Sequence, residues 1–139
     1  MDLIIRNAKV NDEILDIGIQ GDKIVALEKG ISSLAGQEID AMGKLAIPGF
    51  VDCHLHLDKS LLNERAPYQD LSGPEKGGLT REEKAKFTVD DITKRAERIL
   101  VQGIKAGNLA IRTNVDVDSI VGLKGIEALL ALKEKYKNI

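Results

Sequence analysis

Residues 46–59, AIPGFVDCHLHLDK, contain both histidines of the chain, His54 and His56, and the reading of this stretch decides the fold. In an extended strand successive side chains point to opposite faces. Asp52, His54, His56 and Asp58 are therefore expected on one side, and Val51, Cys53, Leu55 and Leu57 on the other. Pro48 and Gly49 mark the strand's entrance. Such a strand suits a half-exposed position with its polar side toward water. Two histidines at i and i+2 also converge on a point just off the strand, where both imidazoles can hold a divalent metal at about 2.0–2.1 Å.

Downstream of Lys59 runs a long connection, residues 60–87, containing the Gly-rich SGPEKGG (72–78) and a short helical candidate, LTREEKAKF (79–87), with Thr80 and Glu83 at capping-box spacing. Long connections tend to be lids or binding loops, so this one is expected to act as a lid over the histidines. Thr88, Asp90 and Asp91 then open a helix whose face carries Ile92, Ala96, Ile99, Leu100 and Ile104, and Gly107 closes it. LAIRTNVDVD (109–118) alternates again, with Leu109, Ile111, Thr113, Val115 and Val117 opposite Arg112, Asn114, Asp116 and Asp118. An Arg112–Asp116 ion pair is one expected use of that polar face. A last helix is expected from about Val121 to Tyr136, with Leu123, Ile126, Leu129 and Leu130 as its stripe.

Strands alternating with helices predict parallel β/α units. Parallel strands buried on both faces read as continuously apolar. These two each keep a polar face, which fits a (β/α)8-type barrel whose strands point polar residues toward the interior and the C-terminal mouth. A doubly wound open sheet would also give such units, but no G-x-G-x-x-G follows either strand.

Upstream, DLIIRNAKV (2–10), ILDIGIQ (14–20), IVALE (24–28) and QEIDAMGK (37–44) read as short strands. Asn11-Asp12, Gly21-Asp22-Lys23 and Gly43 serve as turns. They predict a small antiparallel sheet over residues 1–48, too small to be a good independent domain. Residues 49–139 form the second domain.

At 139 residues and 43% hydrophobic composition the chain can bury a core. Its 20 basic and 22 acidic residues nearly cancel, and aromatic residues make up only 3%, so neither a nucleic-acid surface nor base stacking is expected. No apolar run of membrane-spanning length and no export signal is present, which predicts a soluble cytoplasmic protein without membrane partners. The single Cys53 excludes an internal disulfide and a paired-cysteine zinc site.

GDKIVAL, AIPGFVDCHLHLDK and AIRTNVDVD, in that order and spacing, resemble the amidohydrolase superfamily, and within it the bacterial-type cytosine deaminase group. The resemblance implies that residues 1–48 belong to a β-sandwich and that His54 and His56 bind zinc or iron at the end of the first barrel strand. It also implies a small heterocyclic substrate that is hydrolytically deaminated. In that group the second strand usually reads RTHVDVD; here Asn114 replaces the histidine. Asp52, Asp58, Arg112, Asn114 and Asp116 are supporting candidates around the metal. Lys59 is expected to be a solvated or lid-anchoring charge, not a metal-bridging lysine.

Two histidines fall short of the three protein ligands of a catalytic zinc. The family's other ligands and its general acid/base lie on later strands, so the chain is expected to be an N-terminal fragment: two β/α units of an incomplete barrel, inactive alone and associating with further copies through open strand edges. Dihydroorotase, hydantoinase or isopropylammelide hydrolase chemistry is an alternative, as is a truncated, self-associating module without catalysis.

Overall fold

The computed structural model describes residues 1–138 and divides between Pro48 and Gly49 into two compact units. In the first, alternating apolar residues and tight turns give β1 (Leu3–Val10), β2 (Glu13–Gln20), β3 (Lys23–Glu28) and β4 (Gln37–Asp40), in the order β3-β2-β1-β4. The antiparallel expectation holds for β1–β2 and β2–β3 but not for β4, which pairs with β1 in parallel. The reason is the 29–36 connection: it carries the chain past β2 to the far edge of β1, where a strand arrives in the same direction. Ile4, Ala8, Ile17 and Ile31 form the buried side of this sheet.

The second unit is mixed α/β. β5 (Phe50–Leu55) and β6 (Asn108–Thr113) lie side by side in parallel. Between them run α1 (Gly73–Ala85) and α2 (Val89–Lys105), and α3 (Lys124–Lys135) follows β6. Thr88 caps α2, its hydroxyl accepting the Asp91 N–H at 3.1 Å, and Gly107 leaves the helix with φ +93, a conformation that favours glycine. Ala96 and the half-buried Ile99 and Leu100 of α2 pack against Leu129 and Leu132 of α3. Ile92 packs with Leu62, Phe87, Val121 and Ala128 in a second cluster. Among the described residues no helix is long and apolar enough to cross a membrane.

Four expectations change. SGPEKGG is not loop but the start of α1: Ser72 caps it, with the Glu75 carboxylate accepting both the Ser72 N–H (2.8 Å) and hydroxyl (2.5 Å), and Pro74 sits where no helical donor is needed. Thr80 lies inside that helix, its hydroxyl donating to the Lys76 carbonyl at 2.7 Å. β6 stops at Thr113, because beyond it the main chain bonds to side chains: the Asp116 N–H donates to Asp58 Oδ2, and Asp118 Oδ1 accepts from Ile120 and Val121. α3 starts three residues later than expected and buries Gly125, Ala128, Leu129 and Leu132, while Leu123 and Leu130 face outward.

Candidate metal centre

The histidine strand is shorter and less regular than its alternation suggests. β5 pairs Asp52 with Ile111 and Leu55 with Thr113, three steps against two, so a bulge falls between Asp52 and Leu55. Bulges re-aim side chains next to functional sites. Asp52 Oδ1 accepts the His54 N–H at 3.1 Å and so holds the bulge through the main chain. The expected apolar face is broken with it: Val51 and Cys53 are exposed, and only Leu55 and Leu57 face the helices.

His56 follows the strand directly and leads into a 3-10 turn, Leu57–Lys59, buried at Leu57 and Asp58. Leu57 packs among Ala96, Leu129 and Leu132, and its N–H donates to Thr113 Oγ1 at 3.1 Å. From α2 the buried Arg95 donates to the carbonyls of Asp58 (3.1 Å) and Ser60 (2.7 Å), to the Asp91 carboxylate, and lies 4.6 Å over the Phe87 ring. Gly125 lets α3 close on the turn, since a Cβ there would stand 2.8 Å from Val115 Cγ1 and 3.5 Å from Asp58 Cβ. The turn is thus fixed from both helices and from β6.

This fixed corner brings the two imidazoles together, with ring centres 5.5 Å apart and planes tilted by 49°. Two imidazoles on one tetrahedral ion at about 2.0–2.1 Å place their centres roughly 5 Å apart, close to the separation seen here. Behind His56, Nδ1 lies 3.6 Å from Asp58 Oδ1 and 3.8 Å from Asp116 Oδ1. Both His56 Nδ1 and Asp58 Oδ1 are buried without a hydrogen-bond partner. A histidine that donates one ring N–H to a carboxylate presents its other nitrogen to a metal, in a fixed orientation and with increased basicity.

His56, Asp58 and Asp116 themselves bring ligand atoms within 4.8 Å of one another. Two ammonium groups already occupy Asp116: Lys59 Nζ at 3.0 and 3.1 Å and Lys84 Nζ at 2.5 Å, with Lys84 also 2.9 Å from Asp118. A cation placed there would meet both lysines. Burial alone would raise the Asp116 pKa, but Lys84 and Lys59 outweigh it and hold the carboxyl below its ordinary value. Burial would likewise lower Lys84, and Asp116 and Asp118 turn the shift upward. The Val121 and Ile120 amides, with Lys84, also keep Asp118 ionised. The lysines on Asp116 leave Asp58 Oδ1 as the carboxylate oxygen that stands unpartnered beside His56.

Of the residues singled out in the sequence, His56, Asp58 and Asp116 come together, His54 stands beside His56, and Asp52 bonds the His54 main chain. Asn114 continues the ladder, its N–H donating to the Leu55 carbonyl at 2.7 Å. Arg112 is exposed, and the expected Arg112–Asp116 pair is replaced by lysines, because the chain turns after Thr113 and carries Asp116 toward the 3-10 turn. Lys59 is accordingly neither solvated nor free. Thr113, Lys84 and Arg95 carry no site signal in the sequence. Thr113 sat among apolar residues, Lys84 lies 32 or more positions from its partners, and Arg95, beyond its i,i+4 pairing with Asp91, reaches carbonyls 35 or more positions away that no local spacing shows.

Residues 37–123 match the amidohydrolase family, and the chain belongs to that family. It is 39% identical to N-isopropylammelide isopropyl amidohydrolase of Pseudomonas sp. (strain ADP), over 99% of this chain and 36% of that enzyme. Among solved structures it resembles N-isopropylammelide isopropylaminohydrolase from Burkholderia multivorans ATCC 17616 (TM-score 0.81, 29% identity, 99% of this chain and 35% of that one). It also resembles 5-methylcytosine deaminase from Klebsiella pneumoniae liganded with 5-fluorocytosine (TM-score 0.80, 29% identity, 95% and 33%). The chain therefore spans about a third of the length of these relatives.

Proposed function

We propose that this chain supplies the histidine strand of a metal-dependent hydrolase that removes an exocyclic amine from a heterocycle, cytosine or a related amino-substituted ring. The observation that carries the reading is the paired imidazoles at the end of β5, with His56 backed by a buried carboxylate. That end is where barrel enzymes keep their active sites, and the parallel β5–β6 pair with its helices reads as the first two units of such a barrel. Residues 1–48 read as part of an accompanying β-sandwich.

His54 and His56 would hold zinc or iron, His56 through Nε2 because Nδ1 faces Asp58 and Asp116. When bound, such an ion supplies Lewis-acid activation of water for attack on the ring carbon that bears the amine. Asp58 Oδ1, 3.6 Å from His56 Nδ1 and otherwise unpartnered, would accept the Nδ1 proton once a metal draws the ring into place, and would then keep it in one tautomer and one orientation. Asp116, neutralised by Lys59 and Lys84, closes that pocket from the side. Neither carboxylate is free to pass a proton to the leaving amine. That carboxyl group, and a third metal ligand, would come from outside residues 1–139. The leaving group is ammonia or an alkylamine, and the 39% identity to an N-isopropylammelide hydrolase favours keeping the alkylamine in view.

A chimaera tests this: residues 1–139 replace the matching third of the Pseudomonas enzyme, and amine release is followed from N-isopropylammelide and from cytosine. Release that disappears in folded His54→Ala and His56→Ala chimaeras is the expected result. Release that both substitutions leave intact would contradict it.

A further inference from the structure

Helix α1 lacks what holds α2 and α3 in place. Its sequence, GPEKGGLTREEKA, contains one large aliphatic residue, Leu79, and residues 73–78 are exposed along their whole length. Gly73, Gly77 and Gly78 each weaken a helix by about 1 kcal/mol relative to alanine, and a free helix shorter than ~12–15 residues is marginal in water. The polar contacts at its C-terminal end are therefore decisive. There Lys84, with a side chain only 12% exposed, reaches Asp116 at 2.5 Å and Asp118 at 2.9 Å.

Asp116 is the residue whose N–H donates to Asp58 Oδ2 at 2.9 Å and whose Oδ1 lies 3.8 Å from His56 Nδ1. The groups around it are Lys59, Lys84, His56 and Asp58, so Lys84 supplies one of the two ammonium charges that hold its carboxylate where it stands, with Oδ1 beside His56 Nδ1 but outside hydrogen-bond distance. We propose that Lys84 is a positioning residue: it pins α1 at its C-terminal end and, through Asp116, fixes the ring of the metal-binding His56. This inference rests on the metal reading of His56. Without Lys84, Asp116 retains only Lys59 and can swing toward Nδ1 in competition with Asp58, while α1 loses its polar anchor.

The chain has only two histidines, so imidazole 15N spectra of the metal-free 139-residue protein resolve each ring. In wild type His56 should be the Nδ1–H tautomer. Lys84→Met should shift the His56 ring nitrogens and leave those of His54 in place, and Lys84→Arg should restore them. Asp118→Asn, which removes a partner of Lys84 without touching Asp116, should shift them in the same direction by less. Hydrogen exchange should quicken over residues 73–85 in Lys84→Met, and zinc affinity, measured by chelator competition, should fall about tenfold or more. Faster exchange with unchanged His56 nitrogens and zinc affinity would make Lys84 an anchor of α1 alone and overturn the proposal, as would no change in any of the three. If wild type binds no zinc, the metal reading fails, and the imidazole comparison still decides the role of Lys84.

Discussion

Each unit of the chain buries one aspartate, and the two are treated in opposite ways. Asp16 in β2 is 6% exposed and fully bonded: Oδ1 accepts the Asn7 N–H at 3.0 Å, and Oδ2 accepts from Arg6 at 2.8 Å and the Ile31 N–H at 3.1 Å. Asp58 after β5 is 3% exposed, spends Oδ2 on the Asp116 N–H, and leaves Oδ1 facing a histidine without a hydrogen bond. A buried carboxylate with both oxygens bonded ties strands together. One with an unmatched oxygen beside an imidazole carries a cost that folding alone does not recover, which marks a site built for something else.

Breaking the first should be the largest effect. Asp16→Ala leaves the Asn7 and Ile31 amides without their acceptor and Arg6 with only Glu38 and the Ile31 carbonyl, and should destabilise the N-terminal sheet by about 3 kcal/mol, read by urea unfolding, with zinc affinity unchanged. Asp58→Asn should do the converse. Its amide oxygen can still accept the Asp116 N–H, but an NH2 donor replaces the oxygen that faces His56, which should cost about 1 kcal/mol of stability, yet weaken zinc about 10- to 100-fold in chelator competition. Gly125→Ala pushes a methyl against Val115 and the back of Asp58 and should cost about 1–3 kcal/mol in the same unfolding assay.

The smallest effect separates the two by pH. Arg6 first, then the Asn7 amide, hold Asp16 below its ordinary pKa in the folded state. A depressed carboxylate contributes stability that is complete above its unfolded pKa of about 3.9 and is lost as pH falls through the lower folded value. Unfolding measured downward from about pH 4 should therefore weaken the N-terminal sheet in wild type and do so less steeply in Asp16→Asn.

What the sequence revealed follows the same division between local and distant causes. β1, β2 and β3 with their turns, the Thr88 cap, the α2 stripe and the two histidines were readable because each is set by neighbours a few residues away. Helix α1 was hidden because three glycines and a proline resemble a loop until Ser72 and Glu75 are seen to close on each other. The alternation of Arg112, Asn114, Asp116 and Asp118 suggested a longer strand, since nothing local shows that Asp58, more than fifty residues earlier, takes the Asp116 amide. Lys84, and Arg95 in its bonds to the Asp58 and Ser60 carbonyls, belong to the same class: those partners are distant in sequence, and charged residues on helices read first as solvated.

The most direct measurement is zinc affinity of the 139-residue chain in three variants: His54→Ala, His56→Ala and Asp116→Asn. If the histidines hold the ion and the carboxylates stand behind them, either histidine variant abolishes binding while Asp116→Asn only weakens it. Wild-type affinity in His54→Ala together with loss in Asp116→Asn would place the ion among His56, Asp58 and Asp116 and contradict this account of the site.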